Sequence, residues 1–191
     1  DVLIPRPETE HLVALGCDWL DVHPGGKVID VGTGSGCIAV ALATARPDLH
    51  LGASDRSMAA LKIARLNAQN HGVADRISFW VADLLTPVRG PVDLILSNPP
   101  YIARDTWPEL PLSVRREPRM ALLSGSDGLQ AIQRLLGQAA RRLNVPGALY
   151  VEIGERQGNA VRVLARTAFP SAEIAILPDL AGKDRVLQIV R

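Results

Sequence analysis

Short, nearly continuous apolar runs alternate along this chain with longer stretches whose apolar residues recur at helical spacing. The apolar runs at 27–31, 49–54, 77–81, 92–96, 148–153, 172–176 and 186–190 predict seven strands. Helices are predicted over 7–20, 35–45, 57–69, 128–143 and 157–167. Their ends carry chemical signals. Pro7 opens the first helix, with Glu8 and Glu10 in its first turn, where acids oppose the positive end of the helix dipole. Ser57 is placed to cap the third and Gly72 to stop it. Strands alternating with helices imply parallel pairing through right-handed crossovers. The expected fold is therefore α/β: a doubly wound, mostly parallel seven-stranded sheet with helices on both faces, of Rossmann-like type, formed as one domain over 1–191. In such a sheet a ligand lies beyond the carboxyl ends of the strands, where the strand order reverses. The stretch 102–126 breaks the alternation. It is rich in Pro and Arg and lacks periodicity, so it is expected to be a long functional loop.

Composition narrows the function. A length of 191 residues with 47% hydrophobic and 21% charged residues suits one domain with a full core. A net charge of +1 and only 4% aromatic residues argue against strong binding to nucleic acid as a whole-surface property. His11, His23, His50 and His71 are scattered without ligand spacing, and Cys17 and Cys37 form no CxxC pair, so no metal site is expected. The cysteines read as reduced thiols of a cytoplasmic protein, and no apolar run reaches membrane-spanning length. The chain starts at Asp1, almost directly on the run Ile4-Pro5-Arg6-Pro7-Glu8-Thr9-Glu10, and further sequence is expected upstream.

Asp30-Val31-Gly32-Thr33-Gly34-Ser35-Gly36 falls where the first strand turns into a helix. Glycines there permit positive φ and let a ligand approach the backbone. The spacing is GxGxG, with Cys37 where a dinucleotide fingerprint has its last glycine, and no P-loop lysine follows. Asp30 would suit a cationic ligand or the loop's own amides better than a pyrophosphate. Asp55 ends the second strand, where a carboxylate can take both hydroxyls of a ribose. Asp83 ends the third, where a carboxylate can accept an adenine amino hydrogen. With these acids the chain resembles class I S-adenosylmethionine methyltransferases over nearly its whole length.

Asn98-Pro99-Pro100-Tyr101 follows the fourth strand, which proline cannot continue. As bare structure it is a strand terminator. It also suits methyl transfer to a planar NH2 nitrogen, which is a poor nucleophile until its lone pair is aimed at the sulfonium methyl. The Asn98 side-chain oxygen can accept one N–H and the Pro99 carbonyl the other, and Tyr101 can pack on the planar group. Pro99 and Pro100 keep the turn rigid. The tetrapeptide resembles the signature of amino-group methyltransferases, which act on adenine N6 in DNA, guanine N2 in ribosomal RNA or glutamine N5 in proteins. It defines the nitrogen and leaves the substrate open.

Three further segments resemble one branch, the peptide chain release factor glutamine methyltransferases. They are Val2 through Glu10, then Glu117-Pro118 with Ala121-Leu122 and Gly125 through Leu129, and Glu152-Ile153-Gly154 with Gln157. A sister branch that modifies a ribosomal protein tends to carry Ser at the position of Pro7. The resemblance implies S-adenosyl-L-methionine as cofactor, with S-adenosyl-L-homocysteine as product. It places Gly32, Thr33, Gly34, Ser35, Gly36, Asp55, Asp83, Leu84 and Asn98 around the cofactor, and Asn98, Pro99, Pro100 and Tyr101 around the glutamine. The implied partner is a release factor, whose Gly-Gly-Gln loop carries the target. A helical recognition domain would precede this chain. Leu84 departs from relatives that carry an aromatic there, which implies less stacking on adenine. Arg115, Arg116 and Arg119 lie in the long loop, where they have two readings, a solvated surface or part of the substrate mouth. Methylation of adenine N6 or guanine N2 in nucleic acid, or of a ribosomal-protein glutamine, is the alternative.

Overall fold

A computed structural model describes residues 2–191. Its sheet has seven strands in the order β3-β2-β1-β4-β5-β7-β6. Strands β1 (Val28–Val31), β2 (Leu51–Asp55), β3 (Ile77–Val81), β4 (Val92–Ser97) and β5 (Leu143–Glu152) run parallel. Strands β6 (Glu173–Pro178) and β7 (Asp184–Val190) form a hairpin that adds antiparallel to β5. The doubly wound sheet matches the expectation, with the antiparallel pair at one edge. Strand β1 lies between β2 and β4, so the order reverses around it, and the crevice beyond Val31 is the switch point.

The core follows from the two-residue repeat of strands. In β4 and β5, Leu94, Leu96, Ala148 and Tyr150 point to one face, while Ile95, Leu149 and Val151 point to the other. The first face is covered by α1 (Glu10–Val22), α2 (Cys37–Ala45) and part of α3 (Met58–Asn70), through Leu12, Leu20, Leu42 and Ala68. The second is covered by α6 (Gln130–Ala139) and α7 (Gly158–Ala168), through Ile132, Leu135, Leu136 and Val161. Ser57 caps α3 by accepting the Ala60 N–H at 3.2 Å.

Two expectations change. The helix expected over 128–143 ends at Ala139, because the Arg142 carbonyl is taken by the Val92 N–H and Leu143 already pairs with Val92 as the start of β5. The stretch 102–126 is not irregular throughout. It folds into a 3-10 turn (Arg104–Glu109) and two single-turn helices, α4 (Leu112–Arg115) and α5 (Arg119–Leu122), closed by a parallel bridge between Ile102 and Leu123. Such short turns hold too few apolar positions to leave a helical period. The first helix also enters through a 3-10 turn, Pro7–Thr9, before α1.

Candidate active site

Two cavities meet at the switch point. The larger, with about 1080 Å³ of empty space partly continuous with solvent, runs from the glycine loop past Asp55 and Asp83 to Asn98. The smaller, about 580 Å³, lies behind it between Arg6, Tyr101 and Leu110. Asn98, Pro99 and Pro100 line both cavities, and Tyr101 lines the smaller. The turn after β4 is therefore the wall between them.

The glycine loop is held by its neighbours' backbone and by two carboxylates. The Gly32 and Thr33 N–H groups both donate to the Ser54 carbonyl at the end of β2, at 2.8 and 2.9 Å. Gly32, Gly34 and Gly36 all have positive φ (72°, 57° and 82°), which L side chains rarely adopt. A Cβ on Gly32 would meet nothing within 4 Å, so that backbone faces open space. Gly36 differs. A Cβ there would come within 3.0 Å of the Ala64 Cβ, and Gly36 does not line the cavity. Its role is to let α2 pack on α3, whereas Gly32, Thr33, Gly34 and Ser35 form the wall.

Asp30 is fully buried beneath the loop. Its Oδ2 accepts the Thr33 hydroxyl at 2.6 Å and the Ala39 N–H at 3.2 Å, while Oδ1 has no partner. It bonds a hydroxyl of the loop and an amide of α2, and not the loop's own amides that were expected. Burial pushes its carboxyl up from 3.8 to about 7, against the lowering effect of those two hydrogen bonds. Asp55 holds the loop from the side, accepting the Gly34 N–H at 2.9 Å on Oδ2 and the Ser57 N–H at 2.8 Å on Oδ1. Each oxygen keeps a lone pair. Asp83 pairs with Arg134 at 2.5 Å through Oδ2, and its Oδ1 is buried without a donor in a residue that lines the cavity. An unmet acceptor of that kind fits an amino group of a bound ring. Leu84, the residue after it, takes φ 56° and places an apolar side chain on the same wall. Open glycine backbone, a ribose-accessible carboxylate, an orphan acceptor and an apolar contact together fit an adenosyl group with a sulfonium. The Cys37 thiol on this wall is pushed up to about 11, chiefly by burial, and stays protonated.

The turn after β4 is held by side chains from far along the sequence. Asn98 donates through Nδ2 to the Thr9 hydroxyl at 3.1 Å, and Thr9 donates to Glu152 Oε2 at 2.8 Å. The Tyr101 hydroxyl donates to Glu152 Oε1 at 3.3 Å. Burial, then the neighbouring Glu152 charge, pushes that phenol up to about 12 and keeps it a donor. Gln157 donates through Nε2 to the Tyr101 carbonyl at 2.9 Å, and its Oε1 accepts the Gly154 N–H at 2.9 Å. A side chain on Gly128 would strike that same carbonyl. Among the described residues no donor meets Asn98 Oδ1 or the Pro99 carbonyl, which leaves two acceptors free at the wall.

The roof comes from residues 2–6 and from the stretch 117–121 that follows the Asn98 turn. Val2, Leu3 and Pro5 face Pro118, Met120 and Ala121 across the larger cavity. Arg6 pairs with Glu117 at 2.5 Å, and the Ile4 N–H donates to the other Glu117 oxygen at 3.3 Å. Arg115, Arg116 and Arg119 line neither cavity, which fits the solvated reading of the two; Arg119 lies 4.8 Å over the Trp107 ring and the other two are exposed. Exposed Ile4, Leu112 and Met120 leave apolar surface on the roof segments.

Sequence reasoning placed the glycine loop, Asp55, Asp83 and the Asn98 turn, and these do come together. It gave no role to Thr9, Glu152, Gln157 or Gly128, although each stands in a segment already singled out. Their function depends on contacts between positions distant in sequence, up to 143 residues apart for Thr9 and Glu152, which no local pattern carries.

Comparison with known proteins gives the same grouping. Residues 13–109 match the family of the methyltransferase small domain. The chain is 42% identical over 99% of its length to a release factor glutamine methyltransferase of Rhodopirellula baltica, covering 66% of that protein. It is 44% identical over 97% of its length to one of Bordetella pertussis, covering 68%. A ribosomal protein L11 methylase of Lactobacillus delbrueckii subsp. bulgaricus superposes over 100% of the chain and 81% of its own, with a TM-score of 0.71 and 25% identity. The chain spans about two thirds of the length of the curated relatives it matches. Among the described residues no helix is long and apolar enough to cross a membrane. With its glycine loop, its Asn-Pro-Pro-Tyr turn and these relatives, the chain belongs to the methyltransferase small-domain family, in the group of the release factor glutamine methyltransferases.

Proposed function

We propose that this protein transfers the methyl group of S-adenosyl-L-methionine to the side-chain amide nitrogen, N5, of the glutamine in the Gly-Gly-Gln loop of a peptide chain release factor, in the cytoplasm. The observation that carries this reading is the turn Asn98 to Tyr101 standing as the common wall of two cavities. One side suits the cofactor and the other a short protein segment. When bound, the cofactor supplies a methyl group activated by its sulfonium. Asp55 takes the ribose hydroxyls, and Asp83 Oδ1 takes the adenine amino group. Leu84 contacts the ring, and Gly32 to Ser35 let the chain close around it. Asn98 Oδ1 and the Pro99 carbonyl accept the two amide N–H bonds. They aim the nitrogen across the wall and offset the positive charge that grows on it as the new bond forms. Tyr101, held at both its hydroxyl and its carbonyl, gives the amide a fixed surface. No strong base is needed, because the methylated cation readily sheds its proton.

A protein substrate is favoured by the exposed apolar side chains of Ile4, Leu112 and Met120 on the roof segments. We further propose that recognition of a whole release factor uses a helical domain upstream of this sequence. The reading is tested by offering labelled cofactor with purified release factor, duplex DNA and ribosomal RNA. Label in the release factor, abolished when its loop glutamine is replaced, is the expected result. Label in either nucleic acid and none in the protein would replace this reading with the amino-group alternative.

A further inference from the structure

Asn98 has two ends of nearly equal shape and opposite polarity. A half-turn about its last side-chain bond exchanges the carbonyl oxygen for the NH2 group. Which end faces the reacting nitrogen decides what the site binds. An acceptor there suits an amide NH2, and a donor there suits a carboxylate of the same size.

The surroundings of Asn98 choose one end. The Thr9 hydroxyl has a single proton. That proton is committed to Glu152 Oε2 at 2.8 Å: burial raises the Glu152 carboxyl, but the Thr9 and Tyr101 hydroxyls and the Arg185 charge favour its ionised form, which can only accept. Thr9 therefore offers Asn98 a lone pair, and the contact of 3.1 Å is satisfied only by Nδ2. Turning Asn98 over would set two oxygens together with no proton between them. Glu152 is itself fixed: it is 1% exposed, at the end of β5, and takes the Tyr101 hydroxyl on its other oxygen. Polarity thus runs one way, from Asn98 through Thr9 to Glu152.

We propose that Thr9 and Glu152 are positioning residues that hold the Asn98 oxygen toward the substrate, and that this relay makes the site select a side-chain amide over the corresponding carboxylate. The inference rests on the glutamine reading above and deepens it, because it explains how glutamine is told from glutamate. A buried polar group left unpaired against the wrong substrate is a strong source of discrimination.

Three substitutions separate the relay from mere packing. Thr9→Ser keeps the hydroxyl, Thr9→Val keeps the shape without it, and Glu152→Gln presents an NH2 that can donate to Thr9 and so release its proton toward Asn98. With a glutamine peptide from the release factor loop, Thr9→Val and Glu152→Gln should lower kcat by about 10- to 100-fold, the scale of a misplaced reacting group. Affinity for S-adenosylhomocysteine should stay within about threefold, and Thr9→Ser should stay close to wild type. The same peptide with glutamate in place of glutamine should inhibit the two impaired variants more strongly than it inhibits wild type. Unchanged kcat in Thr9→Val, a Thr9→Ser as poor as Thr9→Val, or unchanged inhibition by the glutamate peptide would overturn the proposal. A wild-type chain that fails to methylate the glutamine peptide would instead count against the proposed function. The relay is then tested without substrate: nuclear Overhauser contacts between the Asn98 NH2 protons and the Thr9 methyl should be present in wild type and lost in Glu152→Gln, and their persistence in that variant overturns the relay.

Discussion

The two sides of the Asn98 wall are built in different ways. On the cofactor side, β1 and β2 pair in parallel, and their ends supply the bonds that hold the glycine loop: Ser54 to Gly32 and Thr33, and Asp55 to Gly34. Two of these three bonds are made by the backbone carbonyl of Ser54 at the end of β2, and the third by the Asp55 side chain beside it. On the substrate side the wall is tied by side chains spread along the whole sequence, from Thr9 and Arg6 to Glu117, Glu152 and Gln157. The glycine-loop side is thus held largely by groups at the end of one strand, and the other side by side chains distant from one another in sequence. This division explains how one sheet can serve many substrates.

If the division is real, the two sides can be damaged separately. Of the variants that leave the Asn98 turn itself intact, the largest effect is expected on the cofactor side. Asp55→Ala removes the acceptor of Gly34 and the proposed acceptor of the ribose, and should weaken cofactor binding by about 1.5–3 kcal/mol, the usual loss for a hydrogen bond to a charged group. Calorimetry with S-adenosylhomocysteine checks it, and the KM for the release factor should barely move. On the opposite side, Arg6→Ala unties the N-terminal strap from Glu117, which is nearly buried. The release factor KM should rise about 5- to 30-fold, corresponding to about 1–2 kcal/mol, with a smaller change in cofactor affinity. Equal losses in both quantities would erase the comparison.

Two smaller effects sharpen it. Gly36→Ala should cost about 1–2 kcal/mol of stability, since the methyl crowds Ala64 at a positive φ. Denaturant unfolding reads this loss, and cofactor affinity should fall less than in Asp55→Ala because Gly36 is off the cavity wall. The last effect concerns pH. The Asp30 carboxyl is raised from 3.8 to about 7 by burial. Between those values the folded chain keeps a proton that the unfolded chain has lost, so this group's contribution to stability declines as pH rises through the window. An asparagine side chain in its place cannot ionise and can still accept from Thr33 and Ala39. The melting temperature of Asp30→Asn should therefore gain on wild type between about pH 4 and about pH 7. A gap that stays constant over that range would refute the assignment.

The same division decides what could be read in the sequence. The strands at 77–81 and 92–96 and the GxGxG turn are local patterns, and they lie within a residue of where they were expected. The antiparallel β6–β7 edge and the long β5 depend on pairing with distant strands, so periodicity alone located their cores and missed their ends. Gly36 carries the same motif signal as Gly32, yet only packing against Ala64 separates their roles. Glu152 shows most clearly where reading stops. In sequence it is an acid at the end of a strand. Only the fold brings it to Thr9 and Tyr101 and makes it the anchor of the wall.

The central claim is that Asn98 acts by placing the glutamine nitrogen. It is tested most directly by the single-turnover rate of Asn98→Ala on a release factor, with cofactor affinity measured on the same preparation. The account predicts a rate at least about 100-fold lower, the loss seen on deleting one preorganised polar group, with S-adenosylhomocysteine binding changed much less. A variant that methylates the glutamine at nearly the wild-type rate would contradict the account and leave the Asn98 turn as no more than the end of a strand.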